Sequence, residues 1–284
     1  MEAEKRNVWI IAAVILLVLC CCAAVVAAVA AGGWLFTARS VERGEVIGLG
    51  RARVEQTFDV GDAPSLEIDN FAGNVTVRAG ESGTIRVVAT KKGSGTARLE
   101  QIRVTMTERD GGVKIETRNP SSFGNASVQI EITAPADADV DLHTGAGSVD
   151  VRGFTGRVEA DSGAGKIDIR DVTGEIVAKS NAGSMEVRGA IGPVRLDSGA
   201  GSITYQGTPQ GDCRFESGAG SITLVLPAAP DVEVDLDTGM GSIDVGCDVE
   251  GRITRKEVEG VIGSGDQGKI VAVSGVGSID LDCR

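Results

Sequence analysis

The chain has 284 residues, a formal net charge of −12 and 40 glycines, but only six Phe, two Trp and one Tyr. That length suits one or two ordinary domains. The glycines lack the three-residue period of collagen, and the acidic balance speaks against nucleic acid, which asks for a basic face. Abundant Val and Ile with so much glycine predict many short strands joined by tight corners.

Residues 1–7 form a short tail. From Val8 to Phe36 no charged residue occurs ("VWIIAAVILLVLCCCAAVVAAVAAGGWLF"). This exceeds the roughly 20 apolar residues needed to cross a bilayer, so a transmembrane helix is expected over 8–36. Trp9 and Trp34 near its two ends suit the headgroup level. A cleaved signal peptide is the alternative, but its apolar core would be unusually long. Lys5 and Arg6 precede the span while Arg39, Arg43, Arg51 and Arg53 follow it, so charge counting does not set the orientation. Long domains translocate largely regardless of charge. The expectation is a single-pass protein of the cell membrane, held in the lipid bilayer by residues 8–36, with its C-terminal domain extracytoplasmic. Cys20, Cys21 and Cys22 read as small lipid-compatible side chains, because the preceding "LVL" fits a lipoprotein site poorly.

Residues 37–60 are expected to hold a linker and one lead-in strand. Residues 61–138 alternate well, but with long and uneven turns, and read as irregular first coils. They begin with "LEIDNFAGNVTVRAG" at 66–80, whose Gly73 lies 74 residues before Gly147, close to four repeat periods. A hairpin is expected around Asp110-Gly111-Gly112.

Residues 139–284 repeat one phrase: "HTGAGSVDVRG" at 143, "DSGAGKIDIRD" at 161, "DSGAGSITYQG" at 197, "ESGAGSITLVL" at 216, "DTGMGSIDVGC" at 237 and "VSGVGSIDLDC" at 273. Its first glycine, or Asn181 in the variant "SNAGSMEV", falls at 145, 163, 181, 199, 218, 239 and 275, in steps of 18, 18, 18, 19, 21 and 36. Since 36 is twice 18, a degraded copy is expected near 257. Five residues before each origin stand Val140, Val158, Ile176, Val194, Cys213, Val234 and Ile270. Four residues after it stand Val149, Ile167, Met185, Ile203, Ile222, Ile243 and Ile279. Polar residues alternate with these, which is the mark of strands with one face in and one out.

Each unit is therefore strand, Gly-x-Gly corner, strand, second corner. Eighteen residues are too few for a propeller blade of roughly forty. The fold class expected is all-β, a parallel β-solenoid (β-helix) with coils of about 18 residues, whose stacking buries an apolar ladder that one coil cannot bury alone. Some twelve coils at about 4.8 Å would make a rod of roughly 55–60 Å. The small residues between the glycines, Ala146, Ala164, Ala182, Ala200 and Ala219, are expected to fill an inward corner. Cys213 replaces an inward Val and reads as a buried small hydrophobe. Cys247 and Cys283 share one position but lie two coils apart if the degraded copy is a real coil. That separation of roughly 9–10 Å exceeds the reach of a disulfide, about 7 Å between Cα atoms, so no intrachain bridge is expected.

The repeated Gly-x-Gly does not read as a phosphate loop, since a strand and not a helix follows it each time. Calcium-binding β-rolls place Asp two residues after the last Gly on a nine-residue unit. Here Asp comes three after it, and Thr204 and Thr223 take its place in two copies, so a calcium roll is kept only as an alternative. His143, the single histidine, falls in an outward polar ladder with Asp161, Lys179, Asp197, Glu216 and Asp237. No catalytic, cofactor-binding or metal-binding residue is assigned. A surface enzyme acting on envelope polysaccharide is the other alternative, and would need acids converging from neighbouring coils.

An apolar N-terminal stretch, then "LEIDNFAGNVTV", then reiterated "SGAGSIDV" units resembles the bacterial putative-adhesin family of β-strand-repeat domains, a domain of unknown function, over roughly residues 60–284. The resemblance implies an extracytoplasmic, membrane-tethered solenoid with relatives linked to adhesion or cell-envelope stress, and it carries over no site residue. The function expected is a non-catalytic adhesion, scaffold or envelope-stress interaction surface. Its partner would be an envelope protein or glycan, or a second copy bound end to end through an uncovered last coil at "SIDLDCR".

Overall fold

The computed structural model describes residues 43–46, 50–120 and 126–284. The expected membrane span over 8–36, with its three cysteines and the tail before it, lies outside the described residues. Among those described, no helix is long and apolar enough to cross a membrane.

The chain enters through β1 (Arg43–Val46) and β2 (Arg51–Asp59), then makes a first coil from β3 (Ser65–Asn70) and β4 (Val75–Gly80). β5 (Thr84–Lys92), a short helix α1 (Thr96–Gln101), β6 (Arg103–Arg109), β7 (Gly112–Arg118) and β8 (Ser127–Pro135) follow. Five regular coils come next. They are β9 (Asp139–Thr144) with β10 (Val149–Arg152), β11 (Val158–Ala164) with β12 (Ile167–Arg170), β13 (Ile176–Ala182) with β14 (Met185–Gly192), β15 (Val194–Ala200) with β16 (Ile203–Pro209), and β17 (Cys213–Ala219) with β18 (Ile222–Leu226). The last part holds β19 (Val232–Met240), β20 (Ile243–Val245), β21 (Glu250–Ile253), β22 (Glu257–Ile262), β23 (Lys269–Val276) and β24 (Ile279–Cys283).

Alternation with period two gives each strand one apolar face, and the corner between two strands sends them to opposite walls of one core. The first sheet accordingly runs β1-β2-β5-β8-β4-β10-β12-β14-β16-β18-β24-β20. The second runs β21-β22-β19-β23-β17-β15-β13-β11-β9-β3-β7-β6. Equivalent residues of successive repeats stack in register: Val140, Val158, Ile176 and Val194 on the second sheet, and Val149, Ile167, Met185, Ile203 and Ile222 on the first. All of them are buried. Each buried branched side chain contributes about 1.5–3 kcal/mol relative to exposure, so a stack of coils sustains what one coil cannot. The solenoid-like all-β architecture read from the period is present, and so is the hairpin at Asp110-Gly111, which joins antiparallel β6 and β7.

The order of the coils departs from the order of the chain at both ends. The first coil, β3 and β4, lies directly against β9 and β10: Leu66 faces Val140 and Val75 faces Val149. The intervening residues do not fill the gap of four periods between Gly73 and Gly147. They pack on the other side, where β7 and β8 form the outermost coil, with β5 and β6 antiparallel beyond it. At the C-terminal end β23 pairs with β17, and β19 pairs with β23 on its far side. The last coil of the chain is thus inserted between its two predecessors. No degraded coil exists near 257; residues 250–262 form the antiparallel hairpin β21–β22 along β19. Among the described residues, nine strands of each sheet run parallel and three are antiparallel additions at the ends, so the stack they form holds nine coils and not twelve.

Two expectations fall with that order. Cys247 and Cys283 stand on neighbouring coils, because β20 pairs directly with β24, and they form a disulfide with Cα atoms 5.2 Å apart. The C-terminal coil is interior and not an uncovered end. The segment after β21 runs along this end, where the Thr238 N–H of β19 and the Ile243 N–H of β20 donate to the Lys256 and Arg255 carbonyls. Cys213 is a buried free thiol as expected, and burial pushes its pKa up to about 11.

Candidate interaction surface

The corner comes first, because it places everything else. The second glycine of the phrase is Gly73, Gly147, Gly165, Gly183, Gly201, Gly220, Gly241 or Gly277 in the eight coils that carry it. A Cβ on Gly165 would lie 2.2 Å from the Gly147 carbonyl oxygen, and Gly165 has φ +141°. Glycine here lets one backbone lie on another at strand spacing; it cradles no ligand. The alanines between the glycines correct the reading made of them: Ala146, Ala164, Ala182, Ala200 and Ala219 are exposed. What turns inward is the residue before the first glycine, a buried column of Thr144, Ser162, Ser180, Ser198, Ser217, Ser274 and Thr238. Several of these hydroxyls staple one corner to the next. Ser217 donates to the Gly201 carbonyl at 3.0 Å, Ser274 to Gly220 at 3.0 Å and Thr238 to Gly277 at 2.7 Å. The invariant Ser or Thr ahead of the first glycine of the later copies was the signal for this column.

Three buried hydroxyls, those of Thr144, Ser180 and Tyr205, lack such a partner among the described residues. Tyr205 is fully buried against Phe215, ring centroids 5.0 Å apart, and its OH has no hydrogen bond among the described residues. An unsatisfied buried hydroxyl costs about 1–3 kcal/mol. Tyr205→Phe is therefore expected to leave stability unchanged or raise it by up to about 1 kcal/mol. A fall in the urea midpoint would show that the hydroxyl has a partner.

The outward side chains form columns. On the first sheet Arg78, Arg152, Arg170 and Arg188 stand in register on consecutive coils. Acids two residues earlier zip three of them: Asp150 to Arg152 at 2.5 Å, Asp168 to Arg170 at 2.7 Å, and Glu186 to Arg188. Lys166 joins both Asp168, at 3.1 Å, and Glu186. Burial disfavours the Asp168 anion, but hydrogen bonds from Arg170 and Lys166 outweigh it and hold its pKa below the ordinary range. Asp150, Asp168 and Glu186 are thus neutralised by the protein's own cations. At the end of the column, Asp280 lies beside Asp244 in register. Burial, then Asp244 and Asp282, raise its pKa.

On the second sheet Glu67, Asp141 and Glu159 are in-register neighbours. Burial, then Glu159 and Glu67, raise the Asp141 pKa, with Arg157 and His143 opposing. A carboxyl whose pKa is raised on folding binds an extra proton in the folded state, so stability falls as pH rises through the window above its unfolded pKa. Asp141→Asn should therefore melt higher than the parent at neutral pH, the difference vanishing below about pH 4 where the carboxyl is protonated in both states. Melting curves over that range would refute this if the gap were constant. His143 is exposed in the polar ladder, its Nδ1 3.5 Å from Asp161. Among the described residues no three His, Cys, Asp or Glu side chains converge as metal ligands. The arrangement offers two broad faces of regularly spaced charge.

A family model, Toastrack DUF4097, matches residues 64–218. No curated protein matches the chain. Among solved structures, a putative cell adhesion protein from Clostridium sporogenes ATCC 15579 is similar at 16% identity, over 81% of this chain and 99% of that one, with a TM-score of 0.37. A putative adhesin from Bacteroides fragilis NCTC 9343 is similar at 14% identity, over 80% and 96%, with a TM-score of 0.36. One from Parabacteroides distasonis ATCC 8503 reaches 10% identity, over 81% and 97%, with a TM-score of 0.24.

Proposed function

Because the chain belongs to the Toastrack DUF4097 family, we propose that it acts as a membrane-tethered, extracytoplasmic adhesion or scaffold domain without catalysis. The observation that carries this reading is the pair of outer faces, where side chains repeat in register on consecutive coils. Such faces suit an extended partner contacted at many equivalent points. The Cys247–Cys283 disulfide supports a place outside the cytoplasm, because disulfides persist in oxidising compartments and are rare in reducing ones. The uncharged stretch 8–36 supplies the tether, with the short tail inside and the stacked coils outside. An envelope protein or glycan is the partner in this reading.

The test uses the full-length chain in intact cells. A membrane-impermeant reductant followed by an impermeant maleimide is expected to label Cys247 and Cys283 without lysis. Labelling that appears only after lysis would place the domain inside and overturn the reading. On the functional side, cells lacking the chain are expected to bind less isolated envelope material than cells that carry it. Equal binding would remove the adhesion role.

A further inference from the structure

On the stacked coils an arginine with an acid two residues away generally pairs with it. Arg53, Arg118, Arg152, Arg157, Arg170, Arg188, Arg214 and Arg284 each pair with an acid two residues away on the same strand face. Arg195 has Asp197 two residues on, yet makes no ion pair or hydrogen bond among the described residues. Neither does Lys179 on the neighbouring strand. Both are exposed. Arg195 also stands directly opposite Arg214 in register, and like charges facing each other across strands are destabilising. On the first sheet Arg152, Arg170 and Arg188 are relieved by their zipped acids, whereas Arg78 is not among the described residues. Here only Arg214 is relieved, through Glu216.

These cations border a groove of about 440 Å³ on the second sheet, across β13 to β17. The in-register partner of Arg195 on β13 is Val177, so a short side chain opens the floor, with Pro193 continuing it. Of the two acids at the groove, only Glu175 faces a cation. Glu175 lies 3.5 Å from Arg157, and Asp212 accepts the Lys269 N–H at 3.2 Å. In a protein of net charge −12, this recess presents the unpaired cations Lys179 and Arg195 beside an apolar floor.

The geometry points to an acidic saccharide as the ligand of this groove, its carboxylates taken by Lys179 and Arg195 and its ring faces lying on Val177 and Pro193. Asp161 and Asp197 flank Lys179 in register and repel a densely charged chain such as nucleic acid, which carries a charge every few ångströms. The groove crosses the middle of a sheet whose backbone groups are already paired, so a peptide cannot add as an extra strand as it does at a free edge. A chain of spaced carboxylates with apolar faces between them satisfies both constraints. The inference names a ligand class for the surface proposed above and rests on that reading for the ligand's source.

The test is calorimetric titration of the full-length chain in detergent with trigalacturonate, at low and at physiological ionic strength. Binding is expected to weaken with salt and to be lost with the methyl-esterified trisaccharide. Lys179→Glu with Arg195→Glu should weaken it roughly tenfold or more, the loss of at least one charge-assisted hydrogen bond. Arg195→Gln alone, which keeps the size of the site, should give part of that loss. Arg78→Glu on the opposite sheet should bind like the parent. No binding, equal binding of the ester, no effect of the groove variants, or an equal loss in Arg78→Glu would each overturn the groove. Tighter binding of hexaglutamate than of trigalacturonate would replace the saccharide with an acidic peptide. Failure with isolated saccharides leaves the labelling and cell-binding results standing, so the two readings fail separately.

Discussion

Gly165→Ala is expected to destabilise the domain by about 4 kcal/mol or more, the exceptional end of single substitutions. Two costs add. At φ +141° a residue with a Cβ carries backbone strain of order 1–3 kcal/mol. That Cβ would also lie 2.2 Å from the Gly147 carbonyl oxygen, so the coil of β11 and β12 must lift off the coil beneath it. In a stack stabilised by nearest-neighbour interfaces, a break in the middle separates the structure into two shorter arrays. The natural comparison is within the chain: the first glycine of the phrase is replaced by Phe71 and Asn181 in two coils, whereas the second is glycine in all eight. Gly61→Ala is the control, since nothing lies within 4 Å of its added Cβ, and should change stability by no more than about 0.5 kcal/mol. Urea unfolding followed by circular dichroism separates them. A midpoint for Gly165→Ala equal to that of Gly61→Ala would mean that the corner is not set by backbone contact.

Cleaving the Cys247–Cys283 bridge, by reductant or as Cys247→Ser with Cys283→Ser, is expected to cost roughly 3–4 kcal/mol, given the chain entropy of a closed loop of this length. The two cysteines are 36 residues apart. The loop they close holds the β21–β22 hairpin and β23, so the bridge ties the inserted coil to the outermost one. Terminal units of a stacked array open first. Hydrogen exchange is therefore expected to rise over β19 to β22 while β9 to β17 stay protected. Unchanged exchange at β19 to β22 after reduction would show that hydrogen bonds and packing alone hold that end.

The strands, their inward faces and the existence of corners were legible in the sequence, because they depend on contacts that recur at one spacing. Val140 and Val158 occupy equivalent positions in adjacent copies of the phrase, and any stacking in order must bring them together. The buried column of Thr144 to Ser274 was present in the text of the phrase but not in its hydrophobic pattern, since small hydroxyls occur as readily on outer corners as on inner ones. The exposed alanines were misplaced for the same reason: a small side chain fits either side of a bend. The groove at Arg195 was not visible, because the i, i+2 acid that pairs with other arginines is present there too, and only the side-chain positions show that the pair is not made.

By itself the sequence determined the period, the alternation and therefore an all-β stack of coils, since these follow from side-chain chemistry repeated along the chain. Which coil lies beside which was decided by tertiary structure. Both 36 residues between Gly239 and Gly275 and 74 between Gly73 and Gly147 fit whole numbers of periods, so spacing alone favoured stacking in order. The fold instead inserts the last coil between its two predecessors and folds residues 81–138 back behind the first. Identical ladders make every coil a fitting neighbour for every other, so the periodic positions carry no information on order. The choice rests with the non-repeating ends, where antiparallel strands such as β22 and β5 pair with β19 and β8 and occupy the backbone donors and acceptors of an outermost coil.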